Sequence, residues 1–330
     1  MKPKATLKKI AEKLQISIST VSRALKDHPD ISLETRKKVR EFAEMMEYEP
    51  NTYAISLRTN HSKVFAIIVP AITNFFYQSF ISAVEEESRL HGYSLMILQS
   101  GDNPETELDN LKLCRQNRVA GLFVSITIKT TDIRAFLKME DLDVPVIFFD
   151  KVPDFEACNK VCVADRAAAE LAAEALLRHK RKKILALFGN DQMSITRKRK
   201  EAFTSIIEGQ KKIKFKADHA HNPEEARRLI HRYCGNGLTY DGIFCMSDDI
   251  LTGVMKAVQE LKYVVPRDVS VIAMSDGFLP QLYEPEISFV ETSGYKLGKV
   301  AFTRMLACLS GSTFVQEIMV DAVLMERGSL

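Results

Sequence analysis

Thr6–Leu25, TLKKIAEKLQISISTVSRAL, carries two short amphipathic patterns with a break between them. Leu7, Ile10, Ala11 and Leu14 recur at helical spacing, which puts them on one face of a first helix. Thr6 stands just before that face as an N-cap. Ile16 interrupts the pattern, and Ser17 is placed to cap a second helix on which Val21 and Leu25 share the inner face. The outer face of this helix carries Ile18, Ser19, Ser22 and Arg23. Arg can reach the paired acceptors of guanine, hydroxyls suit bases or phosphates, and an aliphatic group suits a thymine methyl, so the face fits a DNA major groove. Paired amphipathic helices also occur in folds with no nucleic-acid role. Charge favours DNA: residues 1–63 hold 13 Lys and Arg against 8 Asp and Glu, whereas the whole chain holds 46 against 43. The positive excess therefore sits where phosphate neutralisation requires it.

Outward from this stretch, 330 residues suffice for two or three cores. A content of 46% apolar and 27% charged residues is that of a soluble globular protein. MKPKATLKK has no apolar segment behind its charges, and no run approaches the ~20 apolar residues of a membrane span. The expectation is a cytoplasmic protein with no membrane partner. Cys114, Cys158, Cys162, Cys234, Cys245 and Cys308 form no Cys-x-x-Cys pair, so reduced, packed thiols are expected rather than zinc ligands or disulfides. His219 and His221, near Asp218, read as a polar loop rather than a metal fragment. No metal or cofactor is expected.

After a loop at 26–31, Ser32 caps a third helix with Val39, Phe42, Ala43 and Met46 as its buried stripe, completing a three-helix unit. Tyr48-Glu49-Pro50-Asn51 breaks this helix. The segment 51–58 is about two turns long, too short for independent stability. It reads either as a helix that folds on binding or as a plain linker. From Lys63 the texture changes to apolar β-branched runs alternating with amphipathic stretches. Strands are predicted near 64–69, 93–98, 121–125 and 145–149, with helices between. A second series begins at a helix over 166–179 and continues with strands near 182–188, 213–216, 242–246 and 269–274. This alternation predicts an α/β fold with two subdomains built on parallel sheets.

Ligands of such sheets bind beyond the carboxyl ends of the strands. Ser100, Asp102, Ser125, Thr127, Asp150, Asn190, Asp191, Ser247, Asp248, Ser275 and Asp276 fall there. Hydroxyls and carboxylates from both series would make a cleft for a polar, hydroxyl-rich small molecule, although solvated loops alone also place polar residues after strands. The chain has no dinucleotide glycine fingerprint, no phosphate-cradling loop and no Gly-x-Ser-x-Gly elbow. No catalytic residue is assigned. Arg178–Lys183 offsets a helix C-terminus, whereas Arg197–Lys200 is read as beginning a helix, where cations are disfavoured and a binding role is favoured.

With these residues in view, the chain resembles the LacI/GalR family of bacterial transcription regulators over its full length. The resemblance rests on KKIAEKLQISISTVSRAL, ISLETRKKVREFAEMMEYEPN, SLRTNHSKVFAIIVPAITNFF, VPVIFFD, DGIFCMSDD and VPRDVSVIAMSDG, in that order. It implies a helix-turn-helix headpiece (1–48), a hinge helix and linker (49–62), and a periplasmic-binding-protein-like core (63–330) that binds effector and dimerises. It further implies base reading by Ile18, Ser19 and Arg23, and phosphate contacts by Thr6, Ser17, Thr20 and Ser22. Ala54 and Leu57 match the hinge helix, with Leu57 as the wedge in the minor groove, a role consistent with apolar wedges that kink DNA. Phe76 or Tyr77, Asp150, Arg199, Ser247 and Ser275 match effector-contacting positions, and Asp248 joins them as a strand-end carboxylate.

Several positions depart from the family. Lys26 and Ser247 stand where Asn is usual, Ser275 where Asp is usual, and Asn74-Phe75-Phe76 replaces Asn-Pro-Phe. The two serines shorten the side chains of the pocket. The chain carries no heptad tail, so a homodimer is expected. The resulting expectation is a regulator, of repressor type, that binds a palindromic operator under control of a sugar or sugar derivative. The alternative is a cytoplasmic sugar-binding or sugar-processing protein without operator specificity.

Overall fold

The computed structural model describes residues 5–48, 62–210, 212–235 and 237–330. They fall into two units, one within Met1–His61 and one from Ser62 to Leu330. The first is built on three helices, α1 (Leu7–Leu14), α2 (Ile18–Ala24) and α3 (Leu33–Met45). Each begins at a hydroxyl. Thr6 Oγ1 accepts from Lys9 N at 3.3 Å, Ser17 Oγ from Thr20 N at 3.0 Å and Ser32 Oγ from Thr35 N at 3.2 Å. Such caps satisfy amide groups that a helix start leaves bare. Gln15 ends α1 in the left-handed region, with φ 53°, and turns the chain toward α2. Ile10, Ala11, Val21, Ala24, Val39 and Ala43 form the buried centre, with Leu7, Leu14, Leu25, Phe42 and Met46 around it. The inner faces expected from spacing are therefore the faces that pack.

The second unit holds two six-stranded sheets. The first contains β1 (Val64–Val69), β2 (Ser94–Gln99), β3 (Gly121–Val124), β4 (Val146–Phe149), β5 (Asn159–Val163) and β11 (Glu317–Val320), in the order β11-β5-β4-β3-β1-β2, all parallel. The second contains β6 (Lys183–Phe188), β7 (Lys214–His219), β8 (Gly242–Cys245), β9 (Ser270–Ser275), β10 (Ser288–Glu291) and β12 (Val323–Met325). Its order is β12-β10-β9-β8-β6-β7, with β12 antiparallel to β10 and the other pairs parallel. Central strands such as VFAIIV and SVIAMS are buried almost throughout, as expected of strands covered on both faces. In each sheet the first strand lies between the second and third, so the order reverses at β1/β3 and again at β6/β8. Those are the two points where the fold opens a crevice.

The chain passes between the sheets three times: after β5 into α7 (Asp165–Arg178), after β10 into α11 (Gly294–Leu309), and between β11 and β12. Ala164 N donates to Val320 O at 2.9 Å, and Thr292 N to Ser275 O at 2.8 Å, so the crossings are hydrogen-bonded to neighbouring strands. α11 returns to the first sheet and packs along α4 (Phe75–Leu90). The approach is close. A Cβ on Gly294 would lie 2.2 Å from Phe76 O, and one on Gly298 2.8 Å from Phe80 O.

The eight strands expected from the sequence are present, and β5, β10, β11 and β12 are additions to them. The second series was expected to open at its helix, but β5 precedes that helix and belongs to the first sheet. NKVCV starts with two polar residues, yet Asn159 and Lys160 are both buried. Asn159 is fixed by a residue far away in sequence: Arg304 of α11 donates from Nε to Asn159 Oδ1 at 2.8 Å, and its two terminal nitrogens donate to Ser312 Oγ and Phe314 O. Five cysteines are buried and Cys308 is half-buried, all as free thiols. Burial pushes Cys114 and Cys162 up to about 12 and Cys158 to about 11. Among the described residues no helix is long and apolar enough to cross a membrane, and no metal-ligating group of His, Cys, Asp and Glu is assembled. His219 ends β7 instead of lying in a loop; its Nδ1 meets Gly189 O at 2.7 Å and its Nε2 meets Lys200 Nζ at 3.0 Å.

Arg304→Ala removes one of two donors to Asn159 Oδ1, Gln316 N remaining at 3.3 Å, and takes the guanidinium from two further acceptors, Ser312 Oγ and Phe314 O. The expected cost is about 3 kcal/mol of core stability, read as a lower urea midpoint at unchanged slope.

Candidate nucleic-acid interface and ligand cleft

In the first unit the back of α2 is used up by packing, so its remaining face is fixed. Val21 and Ala24 are buried, whereas Ile18 is 48% exposed, although a lone isoleucine gains nothing from water. Ser19 and Arg23 are exposed beside it and Ser22 is half-buried. At the start of the helix, Ser17 Oγ lies 2.7 Å from Ser19 Oγ and 2.8 Å from Thr20 Oγ1. Thr6, Ser17, Ser19 and Thr20 therefore serve the helix starts while keeping hydroxyls at the surface. Arg23 Nη1 stands 3.9 Å from Asp30, with both side chains more than half exposed, a pairing too weak to hold the guanidinium against a better acceptor. Ala54 and Leu57 lie outside the described residues.

In the second unit the carboxyl end of the first sheet gathers three groups. Asn74 caps α4, and one turn in, Tyr77 is buried. Its Oη donates to Asp150 Oδ2 at 2.7 Å and lies 3.0 Å from Ser125 Oγ. Asp150 follows β4 in the left-handed region, φ 56°. Burial, then the adjacent Asp150 charge, raises the Tyr77 hydroxyl well above its ordinary range, so it stays a proton donor. Phe76 packs edge-on against Tyr77 at 5.6 Å between ring centres. Lys151 Nζ reaches Asp102 Oδ1 at 3.3 Å on the same side.

The second sheet contributes α8 (Ser194–Glu208) and α10 (Asp248–Glu260). Arg199 is buried on α8; its Nε donates to Asp165 Oδ1 at 2.8 Å and its Nη1 to Met246 O at 3.3 Å. Burial raises the Asp165 carboxyl even though Arg199 pulls it down, and Asp150 adds to the rise, so Asp150 and Asp165 share one electrostatic neighbourhood. Because α8 starts at Ser194, the basic run Arg197–Lys200 begins one turn into the helix rather than at its start. The dipole argument for a binding role does not apply there. Arg197 instead donates to Gln192 O and meets Asp154, and Lys200 meets His219.

Two expected ligand hydroxyls are engaged with backbone. Ser247 Oγ caps α10, accepting from Ile250 N at 3.4 Å, and Ser275 Oγ accepts from Gly277 N at 3.0 Å. Asp248 sits beside them with Oδ1 buried and unpartnered, and burial pushes its carboxyl up to about 6. Asp276 Oδ1 accepts from Gly294 N at 2.6 Å at the second crossing. Asp165 was missed by sequence reasoning because the strand before it was not recognised. Ser125 was visible as a strand-end hydroxyl, but nothing local marked its contact with Tyr77.

Comparison with known proteins decides what this pair of units is. Residues 6–51 match the bacterial regulatory proteins of the lacI family, and residues 65–313 match the periplasmic binding protein domain. The chain belongs to the lacI family of bacterial regulatory proteins. It is a DNA-binding transcriptional regulator with an effector-binding core. It is 27% identical to the ribose operon repressor of Halalkalibacterium halodurans, over 91% of this chain and 89% of that protein. It is 24% identical to the transcriptional repressor PurR of Vibrio vulnificus, over 92% and 91%. In fold it is similar to the Lac repressor dimer bound to operator and the anti-inducer ONPF, with TM-score 0.87 at 20% identity and 99% coverage of both chains.

For this lacI-family core, Arg199→Ala would leave Asp165 buried without its counter-charge. The expected loss is about 3–5 kcal/mol, seen as a core that unfolds at markedly lower denaturant. Unchanged stability would mean that Asp165 is not held by this pair.

Proposed function

We propose that the protein is a homodimeric repressor that reads a palindromic operator and is switched by a sugar or sugar derivative. The observation that carries this reading is the outer face of α2, where Ile18, Ser19 and Arg23 remain exposed on a helix whose opposite side is buried. Ile18, Ser19 and Arg23 read base edges, while Thr6, Ser17, Thr20 and Ser22 meet phosphates. Two headpieces related by the dimer dyad address two half-sites. The segment 49–62 serves as hinge helix and linker between headpiece 1–48 and core 63–330. Ala54 lies on the hinge helix, and Leu57 wedges into the minor groove at the operator centre.

In the core, Phe76, Tyr77, Asp150, Arg199, Ser247, Asp248 and Ser275 surround the effector. Carboxylates and a guanidinium facing one cleft suit a polyol, which donates to the first and accepts from the second. The relatives support a sugar: ribose operon repressors recur among them, and similar folds include a cellobiose complex of CelR and a D-xylulofuranose complex from Alkaliphilus metalliredigens. Effector binding shifts the subdomains about the three crossings and changes whether hinge folding is favourable, so the two sites couple through an order–disorder element. The protein works in the cytoplasm, without catalytic residues or a cofactor.

Enrichment of genomic DNA fragments by the full-length protein, at a fixed salt concentration, tests the reading. Recovery of a palindrome is expected; salt-sensitive binding to every sequence, with and without sugars, would overturn it. Arg23→Ala is expected to lose about 1–3 kcal/mol of discrimination at one base position, measured on operator variants by anisotropy. Leu57→Ala should weaken operator binding while leaving random DNA bound as before; equal loss on both refutes the wedge. Asp150→Ala should abolish the sugar response with operator affinity retained, and a normal response would remove Asp150 from the pocket.

A further inference from the structure

Two of the cations around the proposed effector cleft are matched to carboxylates, Lys198 stands without such a match among the described residues, and carboxylates remain in excess of it. Lys151 is taken by Asp102 on the first wall, and Arg199 by Asp165 on the second. Lys198 is a further positive charge beside Asp165. Asp150 accepts from the neutral Tyr77 hydroxyl, Asp276 accepts from a backbone amide, and neither meets a cation among the described residues. Two polar atoms here also lack partners. One is Asp248 Oδ1. The other is Thr196 Oγ1 on α8, on a residue only 1% exposed. A Cβ on Gly189, just past β6, would stand 3.5 Å from this oxygen and 3.0 Å from Met246 Cε, so protein atoms close in on it there.

Closing two subdomains on a ligand removes water, and a carboxylate left there without counter-charge is costly. A sugar phosphate or sugar acid adds to that cost. A neutral sugar supplies hydrogen bonds but leaves the charge. An ammonium supplies three donors and offsets a charge at once. We infer that the effector is an amino sugar whose ammonium group is recognised by Asp150. This rests on the reading of the cleft as the effector site.

The test is calorimetry on the full-length protein with glucose, galactose and mannose, their 2-amino forms, their N-acetylated 2-amino forms and their 6-phosphates. At least one amino sugar is expected to bind about tenfold or more tighter than both its parent and its acetylated form, a difference of ~1.4 kcal/mol, with no 6-phosphate binding. Asp150→Asn keeps the shape and removes the charge, and is expected to bring amine and parent to parity. Operator binding by this variant reports that it is folded; if it is lost, the wild-type series decides alone. A parent, acetylated or phosphorylated sugar that binds as tightly as the amine overturns the inference and leaves the cleft in place. Silence across the whole series, with operator affinity unmoved, removes the inference together with the sugar reading.

Discussion

The structure depends on a buried ion pair at the first place where the chain leaves one sheet for the other. Asp165 opens α7 just past Ala164, and Arg199 holds it at 2.8 Å while also bonding the end of β8 through Met246 O. Ala164 itself donates to Val320 on β11. One guanidinium thereby ties a crossing to the floor of the second subdomain, and that crossing is tied in turn to the last strand of the first. A charge this deeply buried is tolerated only with such partners. On the proposed reading of the cleft, the same arrangement gives a ligand event a route to a distance. A group that draws on Arg199 draws on a residue seated at the junction of the two halves, so cleft and crossing are not independent.

The headpiece solves a different problem with different means. Its core is small, built among the described residues on six buried side chains, none of them aromatic. A core of this size gains a large share of its stability from local terms. Three hydroxyl caps, a left-handed Gln15 and the short chain between helices agree with one another, and such agreement is what makes a short sequence specify one structure. The cost is that Ser17 and Thr20 do two jobs, holding the start of α2 and facing outward.

Much of this was legible because periodicity reports burial. The runs at 64–69 and 269–274 are apolar on both faces, and that pattern has few solutions besides a covered parallel strand. The headpiece helices were legible for the same reason, with caps marking their starts. β5 was not, because NKVCV opens on polar residues, and the first of them, Asn159, is met by Arg304, about 145 residues away. The start of α8 was misplaced by three residues, since Ser194 gives no side-chain cap and the basic run was the louder signal. Within the cleft, the carboxylates and hydroxyls were visible as strand-end residues. Which of them point at each other was not, because Tyr77–Asp150 and Arg199–Asp165 join positions that only the folded sheets bring together. The engagement of Ser247 and Ser275 with backbone depends on local turns that composition does not encode.

The interleaving of the two sheets also has a consequence for synthesis. The buried centre of the first sheet includes Leu297, Ala301, Phe302 and Met305 of α11. These residues leave the ribosome about 130 residues after β5. At roughly 5–20 residues per second, strands β1 to β5 wait on the order of ten seconds with one apolar face covered only in part, by α4. The second sheet meanwhile completes most of its own strands. The half that is made first therefore stays open while most of the other half is made, whereas the three-helix headpiece needs nothing beyond its own residues to bury its core. A nascent chain of this protein passes through a stage in which the DNA-reading end is built and the sensing end still exposes oily surface, which makes that interval the point of greatest demand on chaperones.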